Sequence, residues 1–350
     1  MIALGIDASA DGVCATLARE EPVRGRDLGQ VWRDATARFG PAAGAVLSAP
    51  AGGLPGERRS LLRAARQADI DVFRLISAPA AAALEHAGRT GAQGTFAVLD
   101  LRRTAFDCSL VSVDAERVEV LAAVGFADLG ADAVDQAIVD VLAADCGATQ
   151  RDHSTLRLHA RRAREALADA FDAAIQVRLP SGAVLDRRLT RHEAAHYADQ
   201  VRRRWMAACR RAIAEAESHP AWLDAVLVLD HAPMLRRVVR RAFTRPAVVM
   251  GPDARAAGAA RYASILVGEV AGPLVLERST HGLCLEARDQ TRTPILPAGV
   301  PLPASVPCHP QRGDRLVHLD WRGKSVAVEA LEPDVRSLFL DADGVVQARP

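Results

Sequence analysis

Thr95–Val113 reads TFAVLDLRRTAFDCSLVSV. Phe96–Leu99 is an apolar β-run, Asp100 stands at its end, a tight polar connection follows, and Cys108–Val113 is a second apolar run. Two such runs around a short polar connection predict a hairpin. The N-terminus repeats the plan: MIALGIDASADGVCATLA predicts a strand ending at Asp7, a small-residue turn, and a second strand over Val13–Leu17. Two strand–Asp–turn–strand units in one chain predict a duplicated fold whose halves face each other. Such turns cradle phosphate through backbone N–H groups, and strand-end carboxylates hold a hydrated cation. Asp7 and Asp100 are therefore candidate cation ligands, although an acid in that position also simply caps a turn.

The chain has 350 residues, 49% of them hydrophobic, and a formal net charge of +1. That length suits two domains, or one large two-lobed domain plus a small one, and the charge balance gives no push toward nucleic acid. Lys324 is the only lysine, which removes that side chain as a reactive group everywhere before it. The cysteines (Cys14, Cys108, Cys146, Cys209, Cys284, Cys308) are scattered without a C-x-x-C pair, so reduced core thiols are expected rather than a disulfide or zinc framework. Met1 runs straight into the first strand with no charged leader, and no apolar run reaches the roughly 18 residues of a membrane helix. The expected location is cytoplasmic, with no membrane partner.

Ala18–Gly44 is short and mixed, with one helix around Leu28–Phe39. GAVLSAPAGG follows as a strand opening into a Pro/Gly loop, then an arginine-rich helix over Gly56–Ala68. Asp71–Ile76 is a strand and Ser77–Ala87 a helix with Pro79 in its first turn. This alternation predicts parallel strand order. Beyond the second hairpin come a strand from Val118, a helix over Asp132–Ala144 and a basic helix over residues 154–170. Glu165, Asp169 and the lack of aromatics make that basic helix a solvated face rather than a nucleic-acid stripe. Ile175–Thr190 is a hairpin, Arg191–Glu217 a long helix, and Ala225–Asp230 and Pro246–Met250 are strands. Asp253–Leu266 is a helix of small residues that lets backbones approach closely. Composition shifts at Val267–Pro273, after which prolines cluster among short alternating runs (LVLERS, LCLEAR, RLVHLDW, SVAVEAL). The expected organisation is an α/β domain over residues 1–266 and an all-β module over residues 271–350.

In this order the motifs resemble the heat-shock protein 70 chaperone family of the actin/hexokinase ATPase superfamily. GIDASADGV resembles the family's first phosphate loop, G-I-D-L-G-T-T-x-S. DIDVFRLISAPAAAALEHA is similar to G-L-x-V-x-R-x-I-N-E-P-T-A-A-A-L-A-Y-G, the most specific match. VLDLRRTAFDCSLVSV resembles the second phosphate loop, D-L-G-G-G-T-F-D-V-S-I-L, and GFADLGADAVD resembles G-D-x-x-L-G-G-E-D-F-D. LHARRAREALA, LVLDHAPMLRRV and DARAAGAARYASIL are similar to E-x-A-K-x-x-L-S, L-V-G-G-S-T-R-I-P-x-V and D-E-A-V-A-x-G-A-A-x-x-A. The resemblance implies a two-lobed actin-like ATPase domain with ribonuclease-H-like duplicated halves, followed by an abbreviated β-rich peptide-binding domain without length for a helical lid. It implies ATP or ADP with Mg2+ in the cleft, with Asp7 and Asp100 toward the metal.

The departures fall on the phosphate turns, where glycine matters because a missing Cβ lets amides approach phosphate oxygens. Ser9, Ala10 and Asp11 stand at the G-T-T positions of the first loop. Arg102, Arg103 and Thr104 replace the glycines of the second, and Ala105 its threonine. Ala78 replaces the glutamate near the attacking water, Arg161 and Arg164 align with the adenosine-contacting E and K, and Leu229–Asp230 with the G-G. The stretch that would hold the active-site lysine is too short. Asp7, Asp100, Asp107, Gly130, Asp253 and Gly258 survive. The candidate nucleotide cleft is thus Asp7, Ser9, Ala10, Asp11, Asp100, Arg102, Arg103, Thr104, Gly130, Arg161, Arg164, Asp230 and Gly258.

Arg102 and Arg103 either pair with Asp7, Asp11 and Asp100 and fill the cleft, or clamp phosphate. Cleft filling is favoured, since several lost donors at about 1–3 kcal/mol each outweigh two guanidiniums. The expected function is a chaperone-like protein that binds polypeptide or a partner protein, with nucleotide binding and hydrolysis weak or lost, a pseudo-ATPase. The alternatives are a divergent ATPase using Arg102 and Arg103 on the phosphates, and a scaffold with one dedicated partner.

Overall fold

Alternation along the first strand decides which residues face the cleft. The computed structural model describes residues 2–9, 12–17, 20–52, 55–229 and 235–349. In β1 (Ile2–Ser9), Leu4 and Ile6 turn to one side of the sheet and Ala3, Gly5 and Asp7 to the other. β1 pairs antiparallel with β2 (Gly12–Thr16), which pairs with β3 (Val23–Gly25). After α1 (Leu28–Phe39), β4 (Ala42–Ala49) lies parallel to β1. α2 (Pro55–Gln67) leads to β5 (Val72–Ser77), parallel to β4, giving the order β3-β2-β1-β4-β5. Val31 and Ala35 of α1 and Ala65 of α2 cover Leu4 and Ile6. α3 (Ala78–Thr90) starts on Ser77, whose side chain accepts from Ala80 N, and ends at Gly91 in the left-handed region. β3 was not expected in a stretch read as mixed.

The second half is built likewise. β6 (Gly94–Leu101), β7 (Phe106–Val113) and β8 (Arg117–Phe126) form an antiparallel meander. α4 (Ala131–Cys146), α5 (His153–Ala166), the hairpin β9 (Asp172–Arg178) and β10 (Val184–Thr190), α6 (Arg191–Tyr197) and α7 (Asp199–Glu215) follow. β11 (Ala225–Leu229) returns parallel to β6, then α8 (Arg236–Ala242), β12 (Ala247–Val249) and α9 (Ala254–Leu266). Residues 191–217, expected as one helix, break at Ala198, which is buried, and Asp199 opens a new first turn where an acid suits the exposed amides. In β6, Phe96 and Val98 face the same core as Ala3 and Val46, while Ala97 and Leu99 face α4, α5 and α7. α3 and α9 therefore form a layer between the two sheets, lined by Ala80–Leu84 and Ala259. This is the duplicated two-lobed α/β architecture of an actin-like domain.

One sequence expectation needs correction here. LVLERS was read as a run of the C-terminal β module, but β13 (Leu274–Leu276) lies parallel to β8 and completes the order β12-β11-β6-β7-β8-β13. The edge of β8 offers unpaired backbone groups, Leu274 N donates to Glu116 O at 2.8 Å, and Val275 is buried. Beyond it, β14 (Gly282–Glu286), β15 (Arg292–Leu296), β16 (Ala304–Pro307), β17 (Arg315–Leu319), β18 (Ser325–Ala330), β19 (Ser337–Leu340) and β20 (Val346–Arg349) make two small sheets, β15-β14-β17-β18 and β16-β19-β20. Leu283, Leu302, Leu316, Leu338 and Leu340 form their core. No helix among the described residues is long and apolar enough to cross a membrane.

Candidate functional site

Asp7 and Asp100 meet because both strands turn them toward the shared helix layer, Asp7 in step with Ala3 and Gly5, Asp100 in step with Phe96 and Val98. Neither acid ends its strand as expected: β1 runs on to Ser9 and β6 to Leu101. Between them stands a residue the sequence reading did not single out, Arg255 of α9. Its Nη2 lies 2.6 Å from Asp100 Oδ1 and its Nη1 3.9 Å from Asp7 Oδ2. Asp100 and Arg255 are buried, and Asp7 is only 9% exposed. A signal existed: one arginine inside the run of small residues 254–260 of a helix expected to pack closely.

The second hairpin builds the neighbouring part. Asp100 and Asp107 are cross-strand partners of β6 and β7, so two carboxylates share one face, an unfavourable pairing in isolation. Arg102 stands between them: Nε is 3.4 Å from Asp100 Oδ2, and Nη2 hydrogen-bonds Asp107. Burial pushes the Asp107 carboxyl above its ordinary range, and Arg102 only partly offsets this. Asp107 fits because its neighbours lack side chains. A Cβ on Gly125 would lie 1.9 Å, and one on Gly52 2.2 Å, from its Oδ1.

The turn itself is closed by Arg102 N donating to Ala105 O at 2.9 Å. Its carbonyls receive the first amides of α4: Gly130 N to Thr104 O, Ala131 N to Arg102 O and Asp132 N to Arg103 O, at 2.8, 3.0 and 2.8 Å. A Cβ on Gly130 would sit 2.3 Å from Ala105 N, so the helix start and the turn touch backbone to backbone. Trp205 of α7 fixes the same corner, stacking on Phe106 and donating from Nε1 to Leu129 O at 2.7 Å.

The remaining arginines of the predicted cleft engage acids of α4. Arg103 Nη1 is 2.7 Å from Asp132 Oδ2, and Arg161 Nη2 2.8 Å from Asp132 Oδ1. Arg161 Nε lies 3.4 Å and Arg164 Nε 2.5 Å from the oxygens of Asp135, which is fully buried. Thr104 is exposed at the turn. Gly258 is set apart from these groups at the crossing of α3 and α9, where a Cβ would meet Ala81 O at 1.9 Å. Ala10, Asp11 and Asp230 lie outside the described residues, as does the side chain of Ser9. Cys14, the β2 partner of Asp7, hydrogen-bonds Asp253, and burial together with that carboxylate pushes its thiol up to about 12.

The C-terminal region closes on the same core. β5 is an edge strand, and its outward amides are taken by carboxylates: Leu75 N donates to Asp343 Oδ1 at 2.9 Å and Ser77 N to Glu277 Oε1 at 2.6 Å. Arg74 lies 3.3 Å from Asp343, and Arg59 of α2 pairs with Glu329 of β18. Trp321, between β17 and β18, donates to Gly125 O at 2.8 Å and packs edge-on to Phe126.

The family model described as Hsp70 protein matches residues 23–304. Over 271 residues, 75% of this chain, the sequence is 32% identical to a chaperone protein HscA homolog of Bordetella petrii, of which it covers 42%. Over 243 residues, 67% of this chain, it is 35% identical to a chaperone protein HscA homolog of Variovorax paradoxus, of which it covers 39%. The chain thus spans about two-fifths of the length of the relatives it matches. With that match laid over two facing sheets of common plan, the chain belongs to the Hsp70 family.

Proposed function

We propose that this chain is a chaperone-like member of the family that holds a polypeptide segment or one partner protein, and that its cleft does not run on Mg·ATP. The names of the relatives support the first part. One observation carries the second: Arg102, Arg103, Arg161 and Arg164 are each paired with acids of the same chain. Magnesium keeps several waters and takes one or two carboxylates together with phosphate oxygens. The residues present do not fit that arrangement, because Asp100 is shared by two guanidiniums and charged side chains occupy the turn that would approach polyphosphate. Breaking a buried pair to admit the ligand costs about 3–5 kcal/mol. In this reading residues 1–266 act as a rigid support and residues 271–350 as the binding region.

Calorimetric titration with Mg·ATP tests the reading. No saturable heat is expected, and sub-micromolar binding overturns it. A fluorescent unfolded peptide is expected to bind equally with and without ATP. A divergent ATPase is the second reading, favoured by Arg103, which is half exposed at the turn tip in one surface pair of the kind that costs little to break. There Arg103→Ala abolishes ATP turnover, and a wild type without turnover ends it.

A further inference from the structure

We infer that Arg255 is a resident cation standing between Asp7 and Asp100, and that it ties the two sheets together so that the cleft closes without a metal ion. The inference rests on the reading that the cleft does not run on Mg·ATP. α9 is fixed to the first half by backbone contact: a Cβ on Gly5 would lie 2.0 Å from Ala260 N, and one on Gly258 1.9 Å from Ala81 O. No side chain intervenes there to let the helix slide. From this anchored helix the guanidinium reaches Asp100, which belongs to the second sheet, at 2.6 Å. The side chains of Arg255, Asp7 and Asp100 are 8%, 13% and 4% exposed, so solvent screens these charges little.

The network continues across the molecule. Asp7, Arg255, Asp100, Arg102 and Asp107 alternate in sign from β1 through α9 to β6 and β7. Asp107 then returns to the first half, lodged against Gly52 in the loop between β4 and α2. Among the described residues, Arg255 bridges Asp7 and Asp100, and Arg102 bridges Asp100 and Asp107. A guanidinium is always charged and donates in fixed directions, so this bridge needs no ligand and has no release step.

Mn2+ titration of the full-length chain, followed by loss of the free-ion electron paramagnetic resonance signal, tests the inference. Wild type is expected to take up no stoichiometric ion. Arg255→Ala removes the cation standing between the two carboxylates, and one equivalent is expected to bind at least tenfold more tightly than to wild type. Without metal, the same variant is expected to exchange amide hydrogens faster in β1 and β6. Arg255→Lys is expected to behave like wild type in Mn2+ uptake. Equal Mn2+ binding by wild type and Arg255→Ala overturns the inference, as does a variant with neither metal uptake nor faster exchange. Where Arg255→Ala fails to fold, the double variant Arg255→Ala/Asp100→Asn is expected to restore the fold without Mn2+ uptake. Failure of that rescue also overturns it. Tight Mg·ATP binding by wild type would sink the functional reading and this inference with it, whereas a silent wild type with a silent Arg255→Ala sinks this inference alone.

Discussion

Asp107 sits where two glycines leave room for one carboxylate. Gly125 is its β8 partner, and a methyl group there would meet both Asp107 Oδ1 and, at 2.5 Å, the Phe106 carbonyl. Backbone cannot retreat as a flexible side chain does, so Gly125→Ala is expected to cost about 2–4 kcal/mol in urea unfolding. Gly56, in the first turn of α2, has nothing within 4 Å of an added Cβ. Gly56→Ala is expected to leave stability within about 0.5 kcal/mol of wild type or slightly above it. Equal effects at the two sites would mean that Asp107 is not confined. The glycine-free turn at Arg102–Ala105 was legible as a substitution pattern, because hairpin chemistry is local. Its partners were not: Arg102 bridges Asp100 and Asp107, while Arg103 turns to Asp132 of the following helix rather than to Asp7.

At the scale of elements, β13 shows how three residues join two parts of the chain. Val275 is buried beneath the edge of the second sheet, and its N–H points to the Tyr262 hydroxyl at 3.4 Å. Val275→Asp places a charge in that position and is expected to release the strand, with faster hydrogen exchange over residues 274–276 and new proteolytic cleavage over residues 267–273. Unchanged protection would show that the strand is held by its neighbours and not by Val275. The strand's tendency was legible in LVL after Gly272–Pro273; its choice of sheet was not, since any exposed edge satisfies the same backbone groups. The α3 and α9 layer was more legible. Ser77 and Pro79 mark the start of α3, which runs on past the expected Ala87 to Thr90, and the small residues of α9 announce the close packing found between the sheets.

At the scale of the whole molecule, the C-terminal region buries titratable groups against the first half. His281 lines the crevices between them, beside His318 and Arg58. Burial, reinforced by His318 and Arg58 beside it, holds its imidazole down at about 4. In the unfolded chain it titrates near 6.5. Between those values the unfolded chain binds a proton that the folded chain refuses, so this contribution to stability is complete above pH 6.5 and is lost as pH falls toward 4. The loss amounts to about 3 kcal/mol. His281→Gln is expected to flatten that slope in urea unfolding between pH 7 and pH 4.5, and an unchanged slope would assign it to other groups. Glu329 titrates outside this window, since His318, 3.1 Å away, and Arg59 beside it hold it at about 2.

From residue order alone came the duplicated hairpins, the parallel α/β alternation, the family and the erosion of the glycine turns. Each depends on alternation, capping and turn chemistry acting over a few residues. Only the folded chain decided that Arg255 meets Asp100 across 155 positions, that Leu274–Leu276 pairs with β8, and that carboxylates from the C-terminal region cap the β5 edge. Those contacts follow from how sheets and helices stack at close packing, and no local pattern carries that information.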